Sequence, residues 1–177
     1  GGSDFHCRTH PEFDHADTER REALLRELIP YGRERGMRMA PLFSHPQYFG
    51  FIRRKFPELE APFAMRNHDR TVRLPVNFFH PGTRRVLFDV AAELVERFEP
   101  DDLYCWMTEF RTHSLPPDER RGRSEFLQEA EVFHGMAQEL RKTYPNLGCK
   151  ILLTQGSYPE NLRIMRALPK DVKWVFY

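Results

Sequence analysis

Two sets of residues in this chain are suited to chemistry: a single carboxylate, Glu109, and a cluster of imidazoles near the start. Glu109 falls in the run LYCWMTEF (Leu103–Phe110), where five of the six residues before it are apolar or aromatic. An acid placed where an apolar strand leaves the interior has two uses. It settles the strand end in an ion pair, with Arg111 or Arg8 as partner, or it gives up a proton as a general acid. The opening FHCRTHPEFDH sets His6, Cys7, His10, Asp14 and His15 within ten positions. Imidazole, thiolate and carboxylate are all metal ligands, so one reading is a metal centre. The other is a set of loop histidines lining a cleft, with no metal.

Global composition limits what these residues serve. In 177 residues, 27 Lys and Arg stand against 26 Asp and Glu, a net charge of +1. Such a chain has no field to draw it onto nucleic acid or an acidic membrane, and neither is expected as a partner. A hydrophobic content of 40% with 13% aromatic residues supports one globular domain with a real core over 1–177. Three widely spaced cysteines, Cys7, Cys105 and Cys149, each within or beside an apolar run, predict buried thiols and no disulfide framework. No apolar stretch approaches the roughly 20 residues of a membrane span. The start GGSDFHC has neither the basic region nor the apolar core of a signal peptide.

The elements that must position the candidate residues follow from periodicity. Leu24, Leu25, Leu28 and Ile29 recur at helical spacing behind a cap at Asp17 or Thr18, and Gly36 closes that helix. Met37–Phe43 reads as a strand. Pro81 opens a helix whose stripe is Val86, Leu87, Val90, Ala91, Leu94, Val95 and Phe98. After the strand at Leu103 comes a helix faced by Phe126, Leu127, Ala130, Phe133, Ala137 and Leu140. Cys149–Thr154 is a strand, Asn161–Leu168 a short helix and VKWVFY a last strand. With the opening DFHCRTH counted as a strand, five strands alternate with four helices, which predicts an α/β fold with a parallel sheet. A doubly wound open sheet and a (β/α) barrel both fit, and both gather binding groups at the carboxyl ends of the strands. Those ends carry His6, Arg8, His45, Glu109, Arg111 and Gln155. Five strands suggest part of a larger barrel.

With these motifs placed, the chain resembles the barrels of family 20 β-hexosaminidases and of the related α-glucuronidase-like glycoside hydrolases. LIPYGRERGMRMAPLFSH is similar to their helix, glycine, strand and proline segment that ends at a substrate-facing His. RKFPELEAP is similar to the Pro-Glu-Leu that follows it, and RLPVNFFHPGTRRVLFDVAAELVERF to the helix before the catalytic strand. LYCWMTEF falls where the family places its acid. The likeness runs from about Leu28 to the end.

The resemblance implies a (β/α)8 barrel of the TIM type, incomplete here, acting on a carbohydrate or glycoconjugate with Glu109 as general acid. His6, Arg8, His45, Arg111 and Gln155 would line the substrate cleft. No metal and no cofactor is expected. Glycosidic bonds break through an oxocarbenium-like state, and burial among apolar neighbours favours the protonated form that a leaving oxygen needs. The sequence departs from family 20 at Thr108, where those enzymes carry an Asp that steadies the substrate's acetamido group. Cleavage without that assistance needs a second carboxylate about 5 to 9.5 Å from the first. Glu12 and Asp14 are the nearest candidates outside missing strands. Two alternatives come from other classes. One is a barrel that binds carbohydrate without cleaving it. The other is a metal-dependent phosphoesterase using His6 and His10, similar to the polymerase-and-histidinol-phosphatase type, although Arg8 stands where that pattern has its second His.

Overall fold

Amphipathic periodicity produces the helices where they are expected, and side chains cap two of them. The computed structural model describes residues 3–44, 52, 54–61, 65–66, 72–73, 76–109 and 122–176. Helix α1 spans Thr18–Arg33, and Gly36 follows it at φ 72°, a left-handed conformation that costs glycine nothing. Helix α2 spans Pro81–Phe98. The imidazole of His80 caps it by accepting from the Gly82 N–H at 3.1 Å. Helix α3 spans Glu125–Leu140, with the Ser124 hydroxyl accepting from the Leu127 N–H at 3.1 Å. Helix α4 is the short Asn161–Ala167.

Four strands make one parallel sheet. In chain order the strands are β1 (Leu42–Ser44), β2 (Met65–Arg66), β3 (Val72–Arg73), β4 (Asp102–Trp106), β5 (Gly148–Leu153) and β6 (Val172–Phe176). Strands β1, β4, β5 and β6 lie side by side in that order, and β2 pairs with β3 in a separate antiparallel ribbon. Ser44 pairs with Trp106, Trp106 with Leu152, and Leu153 with Phe176, so all four carboxyl ends reach one edge. The fold is therefore mixed α/β, with α3 crossing from β4 to β5 and α4 from β5 to β6.

The core lies between the sheet and its helices. Leu103, Cys105 and Met107 of β4 and its exit, with Cys149, Ile151 and Leu153 of β5, are fully buried. They join Val90, Leu94, Phe133 and Met136 in one apolar cluster. Each such side chain contributes about 1.5 to 3 kcal/mol by leaving water. Tyr104 and Trp106, on the alternate face of β4, are half-buried. At the amino edge Asp102 is wholly buried and takes Arg38 at 3.1 Å, Lys150 at 3.0 Å and Lys173 at 3.3 Å. Gly148 permits this, since a Cβ there would fall 1.8 Å from an Asp102 carboxylate oxygen.

Three expectations change. The opening DFHCRTH is not a strand, because carboxylates take its backbone donors before a neighbouring strand could. The N–H of His6 goes to Glu22 at 2.8 Å, that of Cys7 to Asp14 at 3.3 Å, and those of Arg8 and Thr9 to Glu93 at 2.8 and 2.7 Å. The strand read over Met37–Phe43 shortens to Leu42–Ser44, since Pro41 has no N–H to give a ladder and Met39 instead bonds Asp101 and Asp102. On α1, Leu24 and Leu28 are 51% and 43% exposed; the inward face is Thr18, Glu22, Ile29 and Gly32.

Candidate active site

The carboxyl edge of the sheet is where β4 and β5 release their chains into loops, and the local hydrogen bonding dictates how. Past Trp106, Met107 still pairs by donating to the Leu152 carbonyl at 3.2 Å. Thr108 then leaves the ladder. Its N–H and its hydroxyl both donate to one carboxyl oxygen of Glu129 on α3, at 2.8 and 3.1 Å. Its carbonyl accepts from the Thr154 hydroxyl at 2.6 Å. The Thr154 carbonyl in turn accepts from the Ser157 hydroxyl at 3.0 Å, and that hydroxyl also lies 2.7 Å from the Asn161 side-chain oxygen at the start of α4. Thr108, Thr154 and Ser157 have no exposed surface and Glu129 has 1%. A sealed polar chain thus joins α3, the exits of β4 and β5, and α4.

Glu109 and Gln155 each follow directly on a member of this chain. Glu109 is half-buried and Gln155 exposed. Because Thr154 bonds Thr108, the structure sets the two at the same edge, just past the ends of adjacent strands. Among the described residues Glu109 has no hydrogen bond or ion pair. Glu129 is different: burial pushes its carboxyl up to about 8 against the two bonds from Thr108, and Glu125 adds repulsion. At neutral pH it holds its proton.

Of the other expected site residues, His6 and Arg8 are engaged elsewhere. Arg8 is tied to Glu93 at 3.3 Å and to Glu96 at 2.6 Å, both on the C-terminal half of α2. The His6 ring meets Asp14 at 2.6 Å, which raises its pKa from the ordinary value, and its carbonyl accepts from Arg97. Helix α2 runs down into the amino end of β4, so residues beside Arg97 lie toward the opposite edge from Glu109. Arg8 is therefore not the ion-pair partner of Glu109. His45 and Arg111 lie outside the described residues; β1 ends at Ser44 on the same edge as Trp106.

Nor do Glu12 and Asp14 supply a second carboxylate beside Glu109. Asp14 holds His6 and the Cys7 N–H. Glu12 lies 3.6 Å from the buried His10, whose other nitrogen is 3.3 Å from Asp89 on α2. His10 also stacks on Phe13 at 5.0 Å. Among the described residues no three His, Cys, Asp or Glu side chains are arranged to hold a metal ion. All three thiols are buried, and burial pushes Cys7 and Cys149 up to about 12, well away from nucleophilic use. No helix among the described residues is long and apolar enough to cross a membrane.

Sequence reasoning missed Glu129, Thr154 and Ser157. The signal for Glu129 was present, since it occupies the i+3 slot after Phe126 in the stripe Phe126, Ala130, Phe133, Ala137. An acid in that slot had to be buried, and a buried acid needs a partner.

No family profile matches the sequence, and no curated protein matches it significantly. Solved structures do. A β-N-acetylhexosaminidase from Bacteroides fragilis superposes with a TM-score of 0.58 at 12% identity, over 97% of this chain and 36% of its own. A family 20 exo-β-N-acetylglucosaminidase from Vibrio harveyi, solved with N-acetylglucosamine, gives 0.57 at 14% identity, over 86% of this chain and 24% of its own. An α-galactosidase from Lactobacillus brevis gives 0.49 at 16% identity, over 72% and 18%. At these identities the likeness to the first two is one of fold alone. The chain spans 36% or less of the length of each of these three.

Proposed function

We propose that the chain, over 1–177, is part of a (β/α) barrel glycoside hydrolase acting on a carbohydrate or glycoconjugate, with Glu109 as the general acid. The observation that carries this reading is the state of Glu109. It sits half-buried at the carboxyl edge of an inner strand, without an ion pair among the described residues, and directly after a residue, Thr108, gripped from two sides. A carboxyl of the usual strand-end kind is held by a counter-ion, as Asp102 is at the other edge. The fold shared with the hexosaminidase structures supports the class, and Gln155, exposed just past the end of β5, is available to meet a sugar hydroxyl. The Thr108 side chain points into the interior and is engaged with Glu129. It offers nothing to a substrate acetamido group, which favours a route without assistance from that group.

The test uses the natural full-length protein and a panel of aryl glycosides. Glu109→Gln should lower kcat on a poor leaving group by roughly 10² to 10⁴, the usual share of general acid catalysis. The loss should shrink for dinitrophenyl leaving groups, which depart without a proton, and the alkaline limb of the pH profile should disappear. Full activity of a folded Glu109→Gln on the poor leaving group makes Glu109 a structural carboxylate and ends this reading.

A further inference from the structure

We propose that Glu129 is a positioning residue for Glu109, holding the residue before it, Thr108, from the interior through the two hydrogen bonds its carboxyl oxygen accepts from the Thr108 N–H and hydroxyl. The proposal rests on Glu109 as proton donor. Glu129 is too deeply buried to touch a substrate, and its position on α3 makes the helix that follows the catalytic strand the backstop for that strand's exit.

Three hydrogen bonds hold Thr108 in place. The Thr108 N–H and hydroxyl hold one side of the residue at 2.8 and 3.1 Å, and Thr154 holds its carbonyl at 2.6 Å. The Glu109 backbone therefore begins from a clamped carbonyl, and its own φ and side-chain rotations set where its carboxyl falls. Proton transfer to a leaving oxygen tolerates little displacement, and a shift of about 1 Å costs on the order of 10²-fold in rate. A neutral carboxyl suits the clamp: it accepts both bonds without adding a negative charge beside the proton donor. The titratable groups facing it among the described residues are Glu125 on the same helix and the Cys105 thiol on β4, which burial also keeps neutral.

The experiment compares Glu129→Leu, Glu129→Gln and Glu109→Gln in the natural full-length protein. Glu129→Leu keeps volume and removes both acceptor bonds. Its kcat on a poor leaving group should fall about 10- to 100-fold with KM within about twofold, and the loss should shrink on a dinitrophenyl glycoside. Glu129→Gln, whose amide oxygen accepts both bonds, should recover most of the activity. Amide exchange at Thr108 should accelerate in Glu129→Leu and stay slow in Glu129→Gln. An equal loss on both leaving groups, or none, overturns the positioning role. Where Glu129→Leu does not fold, Thr108→Val decides, since it drops one bond of the two and should produce a smaller loss with the same leaving-group dependence; a loss blind to the leaving group counts against the proposal. The two readings fail separately. If Glu109→Gln is fully active, the acid is lost and Glu129 with it. If Glu109→Gln shows the leaving-group pattern and Glu129→Leu does not, only the positioning role falls.

Discussion

Two buried glutamates on neighbouring helices have opposite fates. Glu93 on α2 and Glu129 on α3 are 5% and 1% exposed, and each is held by a threonine that donates both its N–H and its hydroxyl to one carboxyl oxygen. Thr9 does this for Glu93 and Thr108 for Glu129. Burial disfavours the charge in both cases. On Glu93 it is outweighed, because Cys7 and the backbone and side chain of Arg8 join Thr9, and the carboxyl is driven down to about 2. On Glu129 burial wins and the carboxyl rises to about 8. Glu129 is the more deeply enclosed of the two, and depth together with the donors each acid meets decides whether it becomes an anchor or a proton holder. Glu93 anchors the opening segment to α2. Glu129 backs the exit of β4.

The largest expected effect is on pH dependence, and the two residues pull in opposite directions. Glu129 has a folded pKa of about 8, above its ordinary 4.5, so the folded chain keeps a proton that the unfolded chain has released. Its contribution to stability is full below 4.5 and is lost as pH rises towards 8, at about 1.4 kcal/mol per unit and roughly 5 kcal/mol in all. Glu93, at about 2 against 4.5, contributes above 4.5 and is lost as pH falls towards 2, by roughly 3 kcal/mol. Urea denaturation of Glu129→Gln should therefore gain on the parent as pH rises from 5 to 8. A difference that stays constant across that range breaks the comparison.

Next in size is loss of the anchor. Glu93→Leu leaves the N–H groups of Arg8 and Thr9 without their acceptor and should cost about 3 kcal/mol at pH 7. Exchange protection should vanish at those two amides and persist at Thr108. Loss of protection at Thr108 as well would mean that the two regions are one cooperative unit.

Much of this architecture was legible, and what was not has a common cause. The α2 stripe from Val86 to Phe98 is buried as its period requires, and β4, β5 and β6 fall on the runs that suggested them. Short-range pattern carries such elements. The opening segment was misread because its partners, Glu22 and Glu93, stand 16 and up to 85 residues away, and nothing local marks a backbone N–H as already taken. Leu24 and Leu28 fit a helical period as well as Leu25 and Ile29 do, and only packing against α2 chooses between the faces. At the candidate site, the sequence singled out Glu109 and Gln155 as strand-end residues. The clamp beneath them was hidden because it comes from Glu129, 21 residues beyond the threonine it holds.

The smallest effects come from the matched threonines, and they test the comparison most directly because the substitution is the same. Thr9→Val and Thr108→Val each remove one hydroxyl donor and keep the backbone N–H in place. A hydrogen bond to a charged acceptor contributes about 1.5 to 3 kcal/mol and one to a neutral acceptor about 1 kcal/mol. At pH 7 Glu93 is charged and Glu129 neutral, so Thr9→Val should destabilise by more than Thr108→Val. Raising the pH should change the order. Above 8 the Glu129 carboxyl ionises, the Thr108 hydroxyl then serves a charge, and the cost of Thr108→Val should climb towards that of Thr9→Val, which stays level. Two flat lines, with Thr108→Val no costlier at pH 9 than at pH 6, would mean that Glu129 is already charged at neutral pH, and the contrast between anchor and proton holder would be gone.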